Sequence, residues 1–244
     1  MKVLTVVGIR RSGKTTVCEQ LIRALTARGF RVGTVKTVFC PVFEIDQPGT
    51  NTDRHRKAGA VMVAARAQRE TVLMMQEACP PSRLLGNYSG CDWVICEGDY
   101  QLPVPRLVCA KQNQDAAERT NDLTVAVTGV ISNDLPTPVA LDLSGRSVPA
   151  LHPERDLEAL LDLLESSVQD VRDLRALDTP LNGPDVTLSM GMCHTICEKE
   201  GHHRKAPAPK DTDWPLRVSL RGQQVQLTES QEKAILAILS PSGT

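Results

Sequence analysis

Aromatic residues are scarce in this chain: Phe 3, Tyr 2 and Trp 2 amount to 3% of 244 residues. The core must therefore be aliphatic, and no array of rings is available on which single-stranded nucleic-acid bases could stack. An excess of one charge is lacking as well. The formal net charge is -1, so the broad positive field that sequence-independent nucleic-acid binding requires is missing, and any anion must be held by a local site. Nucleic acid is not an expected partner. No run of about twenty apolar residues occurs, which leaves no expected membrane partner, and the apolar stretch that ends at Arg10-Arg11 is too short for a signal peptide. The expected compartment is the cytoplasm. Cysteine is present but not dense: eight residues, at 18, 40, 79, 91, 96, 109, 193 and 197, lack the spacing of a secreted disulfide scaffold and read mostly as reduced thiols. With 41% hydrophobic and 23% charged residues, the composition is globular, and the length suits one large domain or a medium domain plus a small one.

Residues 3–9 are rich in Val, Leu and Ile, a glycine-containing turn follows, and over 15–28 Val17, Leu21, Ile22 and Leu25 recur at helical spacing. Gly29 supplies a C-cap and 31–38 reads as a second strand, so the chain opens as a βαβ unit with a parallel sheet and a right-handed crossover. Apolar runs at 60–64, 71–75, 93–96, 106–110, 124–131 and 139–143 predict further strands, several buried on both faces. His152-Pro153 opens a helix whose stripe is Leu157, Leu160, Leu161, Leu164, Val168 and Val171, closing a first domain near Leu177. Beyond it come an alternating segment at 185–190, a Cys/His-rich stretch, a linker-like run at 204–210 and a hairpin pattern at 216–227. A capping box of Thr228 and Gln231 then starts a last helix to Leu239.

Gly8-Ile9-Arg10-Arg11-Ser12-Gly13-Lys14-Thr15 matches G-x-x-x-x-G-K-[ST] between a strand and a helix, the context in which that string forms a phosphate-binding P-loop. Its glycines let backbone N–H groups and the helix N-terminus face a β-phosphate, Lys14 neutralises β/γ charge and Thr15 offers a hydroxyl to Mg²⁺. The predicted fold is therefore α/β, a mostly parallel sheet P-loop NTPase domain over 1–177 with a small C-terminal α+β module over 185–244. A strand ends at Cys96-Glu97-Gly98, where Glu97 is either the carboxylate that positions Mg²⁺ or a strand-end surface acid. Between the two motifs, 43–60 combines a Pro48-Gly49 turn, a Thr52-Asp53 helix start and the cluster Arg54-His55-Arg56-Lys57, as a nucleotide switch segment would. Asp46 could hold Mg²⁺ through water. The basic cluster meets a triphosphate or a second anionic ligand, or is simply a solvated helix start.

Ser12-Gly13-Lys14-Thr15-Thr16, the stretch from Glu44-Ile45-Asp46-Gln47-Pro48-Gly49 to Arg54-His55-Arg56-Lys57-Ala58-Gly59-Ala60, and Cys96-Glu97-Gly98 resemble the MobB family of molybdopterin-guanine dinucleotide biosynthesis adaptor proteins. The likeness spans about 1–167, and 218–227 looks like an element appended in some members. It implies a homodimeric GTP-binding protein with weak GTPase activity that works with the molybdopterin guanylyltransferase and with molybdoenzymes or tungsten enzymes. Carried over, Gly8, Arg11, Ser12, Gly13, Lys14, Thr15 and Thr16 hold the phosphates of GTP. Thr15 and Glu97 serve Mg²⁺, and Asp46, Arg54 and Arg56 work in the switch or second-ligand region. Asp134 reads guanine at N1 and N2. The chain departs from the family where Lys36 is followed by Thr37, Val38, Phe39 and Cys40 in place of histidines, and where Asp99-Tyr100 replaces an aromatic after Glu-Gly.

Cys193 and Cys197 at i, i+4, with His202 or His203 reaching back, could bind Zn²⁺; two chains together could supply four thiolates to Zn²⁺ or an iron-sulfur cluster. The alternative is an unmetallated or redox-sensitive pair. Cys18 and Cys96 read as buried small hydrophobes. Two other functions use the same loop: a P-loop metallochaperone for nickel, cobalt or zinc insertion, and a small-molecule kinase.

Overall fold

The computed structural model describes residues 1–38, 43–99, 101–143, 145–179 and 181, and the backbone of strands at 186–189, 217–220 and 223–225. In chain order the elements are β1 (Lys2–Gly8), α1 (Lys14–Ala27), β2 (Val32–Lys36), α2 (Asn51–Lys57), β3 (Met62–Arg66), β4 (Thr71–Met75), α3 (Pro81–Gly86), β5 (Trp93–Glu97), β6 (Arg106–Cys109), α4 (Asn113–Arg119), β7 (Thr124–Thr128), β8 (Val139–Leu143), β9 (Arg146–Ala150), α5 (Leu157–Ser167), β10 (Val186–Ser189), β11 (Arg217–Leu220) and β12 (Gln223–Val225). Short 3₁₀ turns lie at Val130–Asn133 and Leu174–Asp178. The chain divides into two units, 1–38 with 77–181 and 39–76 with 182–244.

The first unit carries a seven-stranded sheet in the order β2-β5-β1-β6-β7-β9-β8. Every pairing is parallel except β8 with β9. β5 and β6 are buried along their whole length, as unbroken apolar strands covered on both faces should be. Alternate side chains divide between the faces. Leu4, Val6, Ile95 and Leu107 pack with Val17, Leu21 and Leu25 of α1 and Leu160, Leu161 and Leu164 of α5. Facing the other way, Val3, Val94 and Cys96 pack with Leu85 and Leu177, and Val7, Val108 and Val127 with Ala116 of α4. The predicted βαβ unit forms, but β5 lies between β1 and β2. Because β5 and β6 flank β1 on opposite sides, the loop after β1 opens at the carboxyl edge where the strand order reverses, the position at which open α/β sheets bind ligands.

Some boundaries differ from expectation. The strand expected over 124–131 stops at Thr128, where Gly129 takes φ 87 and turns the chain into the 3₁₀ segment. α5 starts at Leu157 and ends before Val168, whose backbone is extended; Val171 lies beyond the helix, and its N–H bonds the Met1 carbonyl at 3.0 Å. Among the described residues no helix is long and apolar enough to cross a membrane.

In the second unit β3 and β4 form an antiparallel hairpin with Val61, Met62 and Leu73 exposed. β10, β11 and β12 form a three-stranded antiparallel sheet, in which the expected hairpin appears as β11 and β12, Val218 opposite Val225. The alternating segment at 185–190 supplies β10. The predicted last helix lies outside the described residues.

Candidate nucleotide site

The loop after β1 is built where only glycine fits. A side-chain carbon on Gly8 would stand 2.1 Å from the Cys109 carbonyl oxygen. Gly13, at φ 92, caps α1 without any side-chain acceptor, so the first N–H groups of α1 keep their affinity for an anion. Arg11 sits at the loop tip in the left-handed region, φ 59, a conformation that costs a non-glycine residue about 1–2 kcal/mol. Inside the loop the Ile9 carbonyl accepts both the Ser12 hydroxyl at 2.8 Å and the Lys14 ammonium at 2.6 Å. The lysine is thus folded onto its own loop, against the partial negative charge of a carbonyl. Burial lowers the Lys14 pKa; Cys109 and Glu97 work against that shift, and the like charge of Lys36 adds to it. Gly129 completes the cradle. Its added side-chain carbon would fall 2.2 Å from the Ser12 carbonyl oxygen, and the next residue, Val130, donates its N–H to that same oxygen at 3.1 Å.

Glu97 ends β5 beside this loop and is buried. One of its oxygens, Oε1, accepts the Thr15 hydroxyl at 2.9 Å and also the Lys36 ammonium. The register explains the meeting: Val6 of β1 and Lys36 of β2 both lie opposite Glu97. The Gly98 and Thr37 amides, each at 2.9 Å from a strand carbonyl, fix the strand ends. A hydroxyl and a carboxylate in hydrogen-bond contact form a hard-oxygen donor set that suits Mg²⁺, which keeps several waters and binds one or two carboxylates plus phosphate. The described residues hold no cluster of three or more His, Cys, Asp or Glu, so softer metals find no cage among them.

Asp134 is exposed at the end of the 3₁₀ segment, which touches the P-loop through the Val130–Ser12 bond. Cys18 and Cys96 are buried, as expected, and desolvation pushes each thiol up to about 12. Cys109 is fully buried as well, and its thiol is raised for the same reason.

Residues 43–60 are knit by bonds among themselves. Thr50 caps α2 by accepting the Asp53 N–H. Asp53, itself buried, accepts Lys57 at 2.7 Å, the Gly49 N–H at 2.8 Å and Arg56 at 2.8 Å. Those bonds, led by that from Lys57, hold its carboxyl far below the carboxylate range. Burial opposes the charge of Asp46, but donors from Thr52, Thr50 and the Gln47 amide outweigh it and lower its pKa. Arg56 also pairs with Glu44 at 2.9 Å.

The protein-family model described as molybdopterin guanine dinucleotide synthesis protein B matches residues 3–133. The chain belongs to the MobB family. It is 28% identical to the molybdopterin-guanine dinucleotide biosynthesis adapter protein of Escherichia coli over 166 residues, 65% of this chain and 88% of that protein. Against the Haemophilus influenzae adapter protein it is 30% identical over 113 residues, 45% of this chain and 63% of that one. Two solved structures of Bacillus subtilis MobB share the fold, at TM-scores of 0.52 and 0.53 with 22% and 21% identity, each covering 70% of this chain and all of theirs.

Within this MobB-family chain the fold brings Gly8, Ser12, Gly13, Lys14, Thr15 and Glu97 together, with Arg11 and Thr16 exposed on the same loop and helix start. Asp46 and Arg56 are held within their own segment, and Arg54 is exposed. Cys193, Cys197, His202 and His203 lie outside the described residues, as do Cys40 and Tyr100. Sequence reasoning missed Lys36 and Gly129. Lys36 carried a signal, being the family lysine at the end of the second strand; Gly129 follows a strand, and only its neighbours reveal its use.

Proposed function

We propose that this chain is a GTP-binding adapter with weak GTPase activity in molybdenum or tungsten cofactor biosynthesis, assisting guanine dinucleotide formation on molybdopterin and delivery of the product. The observation that carries the reading is the convergence of Lys14, Thr15 and Glu97 on the P-loop of a MobB-family fold. Bound Mg²⁺ would neutralise the β and γ phosphate oxygens, and the Thr15 hydroxyl and Glu97 are the residues that would hold it. Lys14 would leave the Ile9 carbonyl for the phosphates, and the uncapped N–H groups of α1 would face them. In hydrolysis, water attacks the γ-phosphorus, the bond to the β–γ bridging oxygen breaks, and GDP leaves with that oxygen. In this reading Glu97, bonded to Thr15 and Lys36, holds the cation rather than taking a proton from water, and hydrolysis is slow.

The 1–177 domain carries this chemistry in our reading, with 185–244 as an appended module, and the working form is a cytoplasmic homodimer. Exposed apolar side chains at Val61, Met62 and Leu73 supply surface of the kind interfaces use. Partners are the molybdopterin guanylyltransferase and the enzymes that receive the cofactor. Neither the metallochaperone nor the kinase alternative draws support from the family match. The test is reconstitution: purified protein with Mg²⁺, GTP and the guanylyltransferase should raise the yield of guanine dinucleotide cofactor. No stimulation, or stimulation that survives Lys14→Ala, contradicts the proposal.

A further inference from the structure

The loop that carries Asp134 is held from two sides. On one, Val130 donates to the P-loop at the Ser12 carbonyl, 3.1 Å, and Ile131 to the Ala110 carbonyl at 2.9 Å. On the other stands the turn at 152–156 that leads into α5. There Arg155 Nη2 donates to the Ser132 carbonyl at 2.9 Å, the Leu135 carbonyl at 3.2 Å and the Thr137 hydroxyl at 3.2 Å. The Thr137 hydroxyl in turn bonds the Asp156 carboxylate, which also accepts the His152 N–H at 2.7 Å.

His152 is oriented by the same turn. Its Nδ1 accepts the N–H groups of Glu154 and Arg155, both at 3.1 Å. That nitrogen therefore carries no proton, and the proton of the neutral ring belongs on Nε2, which meets Asn133 Oδ1 at 3.0 Å as a donor. Ser132, Asn133, Leu135 and Thr137 are thus all tied to one turn, while the exposed Asp134 side chain lies outside this set of bonds.

We propose that Arg155, with His152 and Thr137, positions Asp134 for reading guanine, so that purine selectivity is set from the start of α5 and phosphate affinity from the P-loop. This rests on the guanine-nucleotide reading above. A carboxylate accepts from guanine N1–H and the 2-amino group. Hypoxanthine lacks the second donor and adenine lacks both, so a well-placed Asp134 discriminates strongly and a displaced one does not. Arg155, His152 and Thr137 act through Asp134 and touch no nucleotide themselves.

The experiment is calorimetric titration of the full chain at fixed Mg²⁺ with GTP, ITP, ATP and inorganic tripolyphosphate, for wild type, Arg155→Met and the near-isosteric Thr137→Val. The wild type should prefer GTP. In Arg155→Met the GTP:ITP affinity ratio should fall by about tenfold with tripolyphosphate affinity unchanged, and Thr137→Val should move the ratio the same way by less. An unchanged ratio in both variants beside a GTP-preferring wild type removes the proposal and leaves the guanine reading standing. Loss of tripolyphosphate affinity in both variants also removes it, since these residues then only support the fold. A wild type that binds tripolyphosphate yet does not separate GTP from ITP and ATP overturns the guanine reading itself.

Discussion

Glu97 and Asp53 are both buried carboxylates held by several donors, yet they are built in opposite ways. The donors to Glu97, Thr15 and Lys36, lie 82 and 61 residues away in sequence; those to Asp53, on Gly49, Arg56 and Lys57, lie within four. A carboxylate assembled by the sheet joins the start of α1 to the end of β2, beside the loop after β1. One satisfied by its own turn and helix shapes a segment and spends its charge there. A distinctive sequence motif therefore need not be where the chemistry is exposed: the Asp46 to Lys57 stretch carries part of the family resemblance, and its charges largely answer one another.

Glycine provides the largest expected effect that separates the two regions. Gly129 and Gly49 share nearly the same φ, 87 and 88, but a side-chain carbon at Gly129 meets the Ser12 carbonyl at 2.2 Å and one at Gly49 meets nothing within 4 Å. Alanine at Gly49 should cost only the left-handed backbone term, about 1–2 kcal/mol, leaving nucleotide affinity intact. At Gly129 it should also displace the P-loop, weakening nucleotide binding about tenfold for each ~1.4 kcal/mol by which the phosphates are held less tightly. Paired thermal melts and nucleotide titrations separate the two; equal effects at both positions would erase the distinction.

Next in size is the pair Glu97→Gln and Asp53→Asn. The first should raise the Mg²⁺ concentration needed for half-maximal nucleotide binding by about tenfold, a charge-assisted interaction having been removed, with little change in hydrogen exchange. The second should loosen 46–60 in hydrogen exchange and leave the Mg²⁺ requirement nearly unchanged. Asp53 also sets an acid limit. Its folded pKa is depressed, so its stabilisation is present above the unfolded value of about 3.9 and is lost as pH falls through the much lower folded value. The 46–60 amides should therefore stay protected down to about pH 4, and protection lost well above that pH would contradict the assignment.

How much of this was legible in the sequence follows from the same contrast. The P-loop could be read because one string contains its glycines, lysine and threonine, and Glu97 because a strand-end acid is expected near such a loop. The pairing of Lys36 with Glu97 emerges only once β5 is seen to lie between β1 and β2, which puts the two residues opposite each other in register. Arg155 and His152 stand on a turn whose partners lie about twenty residues away, beyond any periodic signal. β9 was missed because Pro149 interrupts its run and proline weakens a strand reading. α3 and α4, of 6 and 7 residues, are too short to show a helical stripe.

The smallest expected effect concerns the thiols. Cys18 and Cys96, buried and pushed up to about 12, and Cys109, wholly buried, should resist iodoacetamide at pH 8 in the folded protein and react after denaturation. Mass spectrometry reads this directly, and prompt native labelling of all three would mean that the core beside the P-loop is open.

Most direct of all is calorimetric titration of the full chain with Mg²⁺ and GTP, wild type beside Lys14→Ala. The geometry predicts saturable 1:1 binding by the wild type and its abolition in the variant, with the fold retained by circular dichroism. GTP binding of undiminished affinity without Lys14 would contradict the assignment of this loop as the nucleotide site.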